Sequence, residues 1–235
     1  MNLSKNCDYN VDLICGIDEA GRGPVLGPMV ICGICFPSDG LDFLREIGVK
    51  DSKKLTLSKR TELAKTIKGK CHSIKVIIIS AKEIDDRIKS NLTMNRLELL
   101  KFTEIINDLK PNIIIIDAAD VNEKRFGMSI KTLLDYKPKK IISKHKADDT
   151  YPIVSASSII AKDIRDNLIE TLREKYGDFG SGYPSDMKTI NFLRDWITKN
   201  KKPPSFARKT WNTTKKILNE TIYNKKLTDY TKSLL

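Results

Sequence analysis

The sequence predicts an α/β fold, a mixed sheet with helices on both sides, and three observations predict it. Short apolar strands crowd the first 80 residues, with little helix between the first two. Strands and amphipathic helices then alternate, around one unbroken apolar run at Asn112–Asp117 of the kind covered on both faces. The remainder, beyond Gly177, carries helical spacing and a surplus of lysine.

Taken in order, Val11–Asp18 is a short apolar strand that runs into the glycine-rich turn Ala20-Gly21-Arg22-Gly23-Pro24. A second strand covers about Met29–Phe36 and a third about Ser73–Ile79. Between them Leu57–Ile67 has helical spacing, preceded by the loop Lys50-Asp51-Ser52-Lys53-Lys54-Leu55-Thr56. Leu92–Leu109 repeats apolar residues at helical intervals and stops before Pro111. After the Asn112–Asp117 strand come a helix over about Asn122–Leu134 and a short strand near Lys140–Ser143. Ser155–Lys175 is a long amphipathic helix with Gly177 placed to cap it. Lys188–Asn200 and Thr210–Asn224 are helical, separated by the break at Pro203-Pro204. Trp196 and Trp211 read as packing residues.

Composition narrows the function. At 235 residues, 40% hydrophobic and 31% charged, the chain can build a real core, and nothing in it suggests general disorder. No apolar run approaches the roughly 20 residues needed to cross a bilayer, and Met1–Asn6 lacks the apolar core of a signal peptide. A cytoplasmic protein is expected. Cys32 and Cys35 have metal-site spacing, but in a strand residues three apart face oppositely, and no second pair completes a tetrahedral set. They read as buried core thiols. The net charge is +12, and from Thr198 onward ten Lys/Arg face only Glu220 and Asp229. Such a field is the footprint of a nucleic-acid or anionic-surface binder. A merely solvated basic tail is the plainer alternative.

Acidic residues recur where apolar strands finish: Asp18-Glu19 after Ile17, Asp117 after Ile116, Asp148-Asp149 beyond the last short strand. Carboxylates converging from separate strands would suit Mg²⁺, which prefers hard oxygen ligands, and a pair of such ions suits phosphodiester cleavage. Strand-end aspartates also simply begin turns. Neighbours in a regular strand point oppositely, so Asp18 and Glu19 share a site only if the strand has bent. With His72 and His145 alone, paired catalytic histidines are disfavoured. No nucleophile elbow accompanies a serine, and no Walker lysine follows Gly21-Arg22-Gly23.

Seven blocks then occur in order. They are Gly16-Ile17-Asp18-Glu19-Ala20-Gly21-Arg22-Gly23-Pro24, Asp51-Ser52-Lys53-Lys54-Leu55-Thr56, Ile116-Asp117-Ala118-Ala119-Asp120 and Lys144-His145-Lys146-Ala147-Asp148-Asp149. Ser155-Ala156-Ser157-Ser158-Ile159-Ile160-Ala161-Lys162, Gly180-Ser181-Gly182-Tyr183-Pro184-Ser185-Asp186 and Arg208-Lys209-Thr210-Trp211 complete the set. Together, over roughly Ile14–Lys216, they resemble the type 2 ribonuclease H family (ribonuclease HII), and the last two look more like its archaeal branch.

The resemblance implies a ribonuclease H-like five-stranded mixed sheet flanked by helices, with a helical C-terminal extension. It implies a catalytic domain over 1–185 and a basic helical extension over 186–235, packed on or near the substrate channel. The implied activity is endonucleolytic cutting of the RNA strand of RNA–DNA hybrids, including 5′ of single ribonucleotides in duplex DNA. Two divalent ions, Mg²⁺ or Mn²⁺, are implied, with 5′-phosphate and 3′-hydroxyl products. By the same resemblance, Asp18, Glu19, Asp117 and Asp148 are the catalytic and metal-binding carboxylates, and neither Asp120 nor Asp149 is a ligand. The Gly21-Arg22-Gly23 turn senses the ribose 2′-hydroxyl, and Tyr183 packs on the sugar at an RNA–DNA junction. Lys53, Lys54, Lys144, Lys146, Ser157, Ser158 and Lys162 are candidate phosphate contacts, which position a duplex without reading sequence.

The partners expected are RNA–DNA hybrid and ribonucleotide-containing DNA; no membrane is expected, and the chain acts as a monomer. Asn224–Thr231 has the spacing of a sliding-clamp-binding peptide, with Asn for the common Gln and Thr for the last aromatic. A frayed basic helix end is the plainer reading of it. Two rivals stay open: a non-catalytic hybrid-binding protein and another two-metal nuclease of the same fold.

Overall fold

The structure, a computed structural model, describes residues 11–49 and 55–223. Its five strands are β1 (Leu13–Ala20), β2 (Met29–Pro37), β3 (Ser73–Ile79), β4 (Ile113–Asp117) and β5 (Lys140–Lys144). They form a single mixed sheet in the order β3-β2-β1-β4-β5, flanked by helices. β1 and β4 are parallel with Ile17 opposite Ile116, and β4 and β5 are parallel with Asp117 opposite Lys144. Parallel pairing needs a long crossover between strands, and the chain supplies helices there. β2 is buried along all but its last residue, as its unbroken apolar sequence requires.

The helices are α1 (Leu41–Glu46), α2 (Leu57–Lys70), α3 (Ala81–Asp86), α4 (Met94–Leu109), α5 (Glu123–Lys131), α6 (Ala147–Thr150), α7 (Pro152–Tyr176), α8 (Met187–Asn200) and α9 (Asn212–Leu218). A π-type turn, Asn219–Tyr223, follows α9. α7 begins at Pro152, three residues before the apolar periodicity shows it, because a proline fits the first helical turn, where no partner for its missing N–H is needed. Its far end behaves as expected: Gly177 takes φ +89° and donates its N–H to the Arg173 carbonyl at 2.8 Å. α5 stops three residues earlier than expected. α1, α3 and the single-turn α6 were not expected at all, although Ser80 and Glu83 form a reciprocal capping box that the sequence spells out.

The described residues cluster into two compact units. One comprises 11–18, 32–49, 55–75 and 99–160. Its core gathers Ile17, Cys32, Cys35, Ile114, Ile116 and Ile159, with Phe102 edge-on to Phe126 at 5.8 Å. Cys15, Cys32 and Cys35 are fully buried free thiols, as the sequence argument anticipates for Cys32 and Cys35. The other unit comprises 19–31, 76–98 and 161–223. It is built on Val25, Leu26, Ile169, Phe179, Leu193, Ile197 and Phe206. Trp196 joins its aromatic packing, 5.7 Å from Tyr176 and 5.8 Å from Phe192. Among the described residues no helix is long and apolar enough to cross a membrane.

Candidate active site

The register of β1 on β4 sets up the site. Ile17 lies opposite Ile116, so the next residue on each parallel strand is an aspartate at the same level, Asp18 and Asp117. The chain leaves β5 at Lys144, turns through Lys146 in a left-handed conformation (φ 53°), and enters α6, which carries Asp148. Ligand oxygens of Asp18, Asp117 and Asp148 all lie within 4.8 Å of one another. Asp18 and Asp148 are buried at 6% and 5% exposure, and Asp117 is half-buried. Three carboxylates brought this close repel one another when ionised. Hard oxygen donors in this arrangement fit a divalent cation such as Mg²⁺ or Mn²⁺.

Two serines tie the start of α7 to this group. The Ser155 hydroxyl donates to the Asp148 carbonyl, and Ser157 Oγ donates to the Gly16 carbonyl at 2.7 Å, two residues before Asp18. Gly16 makes that approach possible, since a Cβ there would lie 2.4 Å from the Ile153 carbonyl oxygen. Ser157 and Ser158 are both fully buried. Through its bond to the Gly16 carbonyl, Ser157 packs helix on strand.

Glu19 is not among the three clustered carboxylates. Glu19 follows Asp18 directly near the end of β1, which runs through Ala20. Glu19 is half-buried and lines a cleft of about 240 Å³ with Gly21, Arg22, Gly23, Lys162, Arg165, Asp166 and Tyr183. The turn in that cleft is firmly held. Gly21 takes φ +82°, where a side chain is strained, and a Cβ would meet Arg165 Nε at 2.5 Å. The Arg22 side chain reaches into α4, with Nε 2.7 Å from Glu98 Oε1 and Nη2 2.6 Å from Asn95 Oδ1. Burial pushes the Glu98 carboxyl up against the opposing pull of Arg22. Burial by itself would lower the Arg22 guanidinium, but the Glu98 charge and hydrogen bond, together with the Glu19 charge, outweigh it and the net direction is up.

Tyr183 is 38% exposed, with the Arg165 guanidinium 5.4 Å from its ring centroid. Its loop is fixed by hydrogen bonds: the Gly182 carbonyl accepts from Val25 N at 2.8 Å and Leu26 N at 3.2 Å. The Asp186 carboxylate accepts from Ser181 N, Ser181 Oγ and Lys188 N at 2.7 to 2.9 Å, which holds its pKa down to about 2.

Of the other expected contacts, Lys144 and Lys146 are exposed beside α6, and Lys162 is half-buried in the cleft. Lys53, Lys54 and the Asn224–Thr231 peptide lie outside the described residues. Asp120 accepts two hydrogen bonds from Arg125, and Asn122 N–H lies 3.0 Å from it, which suits a loop brace rather than a metal ligand.

The roles of two arginines escaped the sequence reading. Arg165 lies three residues after Lys162 on α7, a spacing that puts both on one helix face. Arg208, counted above in the basic field, is fully buried. It donates to the carbonyls of Gly21 (2.5 Å), Arg22 (2.7 Å) and Gly27 (3.2 Å), and burial pulls its pKa down to about 9, still a cation at neutral pH. Nothing in the spacing betrays it beyond an arginine directly after Phe206-Ala207. Trp211, expected as packing, is half-buried with the guanidinium carbons of Arg87 and Arg208 at 5.0 and 5.1 Å from its ring.

A sequence profile of the family described as Ribonuclease HII matches residues 15–214. The Ribonuclease HII of Methanocella arvoryzae is 48% identical over 206 residues, 87% of this chain and 91% of that protein. The crystal structure of the ribonuclease H2 from Pyrococcus horikoshii OT3 superposes with a TM-score of 0.85 at 44% identity, covering 89% of this chain and 98% of that one. The PCNA:RNase HII complex from Archaeoglobus fulgidus gives 0.78 at 42%, covering 85% and 95%. With the ribonuclease H-like sheet and the aspartate group in place, these likenesses show that the chain belongs to the ribonuclease HII family of endoribonucleases.

Proposed function

We propose that the protein cuts the RNA strand of RNA–DNA hybrids, acting also 5′ of single ribonucleotides embedded in duplex DNA, and leaves 5′-phosphate and 3′-hydroxyl ends. The observation that carries this reading is the cluster of Asp18, Asp117 and Asp148, whose oxygens lie within 4.8 Å. These three would hold the divalent ions, Mg²⁺ or Mn²⁺, with Glu19 as the fourth carboxylate, a role carried over from the opening motif. When bound, two such ions supply an activated water and stabilise the leaving 3′-oxygen.

The chain's own groups do the rest. Burial of Asp18 and Asp148 keeps water from competing for their oxygens. The Gly21–Gly23 turn, free of bulky side chains at both glycines, lets backbone approach the ribose, whose 2′-hydroxyl distinguishes RNA from DNA. Tyr183 would pack on a sugar, a role supported by its partial exposure and by the Arg165 guanidinium over its ring. Lys144, Lys146 and Lys162 would contact phosphates and fix the register of the duplex, as would Lys53 and Lys54. The relative from Archaeoglobus fulgidus is solved in complex with PCNA. By that likeness a sliding-clamp contact through Asn224–Thr231 belongs to the proposal.

The test is cleavage of a labelled DNA duplex carrying one internal ribonucleotide, run with Mg²⁺ or Mn²⁺, with EDTA, and beside all-DNA and all-RNA duplexes. A cut 5′ of the ribonucleotide that EDTA abolishes is the expected result. Cutting of long hybrids alone would remove the junction role of Tyr183. Equal cutting of all-DNA duplex would favour another two-metal nuclease. Binding without any cleavage would leave a hybrid-binding protein.

A further inference from the structure

Arg208 poses a question that phosphate binding does not answer. A guanidinium that is fully buried has lost its water, which is costly unless its donors are used. Here three of them are used. Nη2 and Nη1 donate to the carbonyls of Gly21 and Arg22 in the glycine turn, and Nε donates to that of Gly27 just beyond it. The backbone beside it is zipped to the segment that follows the turn: Arg208 N donates to Val25 O at 2.9 Å, and Gly27 N donates to Phe206 O at 2.8 Å. Behind it, Asp85 accepts from Lys209 N, Thr210 N and Thr210 Oγ1, which fixes the segment that delivers the guanidinium.

The orientation of these bonds has a chemical meaning. In a trans peptide the carbonyl of one residue and the N–H of the next point in opposite directions. With the Gly21 and Arg22 oxygens drawn onto Arg208, the N–H groups of the same two peptide units are directed away from it. A cation on each carbonyl also polarises the peptide and strengthens its N–H as a donor. Lysine could not do the same, because a planar fork reaches several acceptors in fixed geometry and an ammonium does not.

We propose that Arg208 is a positioning residue that aims the backbone donors of the Gly21–Gly23 turn at the ribose 2′-oxygen. The inference rests on the hybrid-cleavage reading above and deepens it: specificity for RNA is set through a residue that touches no substrate.

The experiment compares kcat/KM on two duplexes, one with a single ribonucleotide and one with a 2′-fluoro-2′-deoxyribonucleotide at the same position. Wild type, Arg208→Lys and Asp85→Asn are assayed in Mg²⁺. The ratio of the two values cancels the fraction of folded enzyme, so simple destabilisation leaves it unchanged. Fluorine is a poor acceptor, so loss of aimed donors slows the ribonucleotide substrate more. The expected ratio falls about tenfold in Arg208→Lys, the effect of one hydrogen bond to a polarised group, and moves the same way, less far, in Asp85→Asn. Equal slowing of both substrates in Arg208→Lys overturns the proposal. Should that variant fail to fold, an unchanged ratio in Asp85→Asn overturns it instead. A wild-type enzyme that ignores the ribonucleotide duplex refutes the hybrid-cleavage reading, a separate failure.

Discussion

Asp117 ends β4 opposite Lys144 and shares its neighbourhood with Asp18 and Asp148. Asp117→Asn keeps the shape and removes the charge that a cation needs. Its cleavage rate is expected to fall by more than the roughly 10- to 100-fold typical of losing an outer-shell partner, with an unchanged circular dichroism spectrum. An Asn variant retaining near wild-type rate would remove the aspartate from the catalytic set. A second prediction concerns Asp186, the N-cap of α8, whose pKa is held down to about 2 by the donors of Ser181 and Lys188. A depressed carboxylate contributes stability above the unfolded-state value and loses it as pH falls through the folded one. Asp186→Asn should therefore be less stable than wild type at pH 7. The gap should close between about pH 4 and pH 2, as read by urea melts across that window. The Tyr183 loop, which Asp186 holds through Ser181, should loosen over the same range.

The contact of β1 with the start of α7 determines whether the aspartates converge. Gly16→Ala drives a Cβ to 2.4 Å from backbone at Ile153, which cannot swing aside as a side chain would. A loss of about 1–3 kcal/mol is expected in denaturant melts. Ser157→Ala, which leaves the Gly16 carbonyl without its hydroxyl donor, should cost about 1 kcal/mol. Both should weaken Mn²⁺ binding, since Asp18 follows Gly16 by two residues. Wild-type metal affinity in both variants would uncouple the contact from the site. At this scale the sequence was readable where periodicity is long. β1, β2, β4 and α7 follow from runs of apolar residues whose spacing is a property of the chain alone. α6 did not follow, because four residues hold no period; its existence depends on Lys146 taking a left-handed turn. The bond from Ser157 to the Gly16 carbonyl, 141 residues away, was hidden for a related reason: a pairing so distant leaves no local pattern.

Across the molecule, +12 of net charge makes hybrid binding a matter of counterion release. Plotted as log affinity against log salt, each phosphate contact contributes a slope of about −0.9 for B-form duplex. Lys162→Ala is expected to flatten the slope by roughly that amount, and an unaltered slope would take Lys162 out of the interface. The charge sum was legible in the sequence, but its placement was not. Arg208 sits in the densest basic stretch and is nonetheless interior, spent on carbonyls of residues some 180 positions earlier. Glu98 is the converse, an acid inside an apolar helix whose partner Arg22 only the fold supplies. Long-range polar pairs of this kind leave no periodic trace, so composition places them on the surface by default. The four-carboxylate assignment came from motif resemblance. Of its members, strand register alone brings Asp18 and Asp117 to one level by physical argument.

The closeness of those aspartates makes the fold itself a sensor of its ions. Buried like charges oppose the native state, so a cation that satisfies them must stabilise folding by the amount of its own binding. At a concentration 100 times the dissociation constant this amounts to about 2.7 kcal/mol. Melting temperature should then climb with the logarithm of Mn²⁺ or Mg²⁺ concentration above saturation, and the climb should vanish in Asp117→Asn. Occupancy becomes measurable without substrate or cleavage, and a cell short of these ions would hold an enzyme that is more easily unfolded as well as idle.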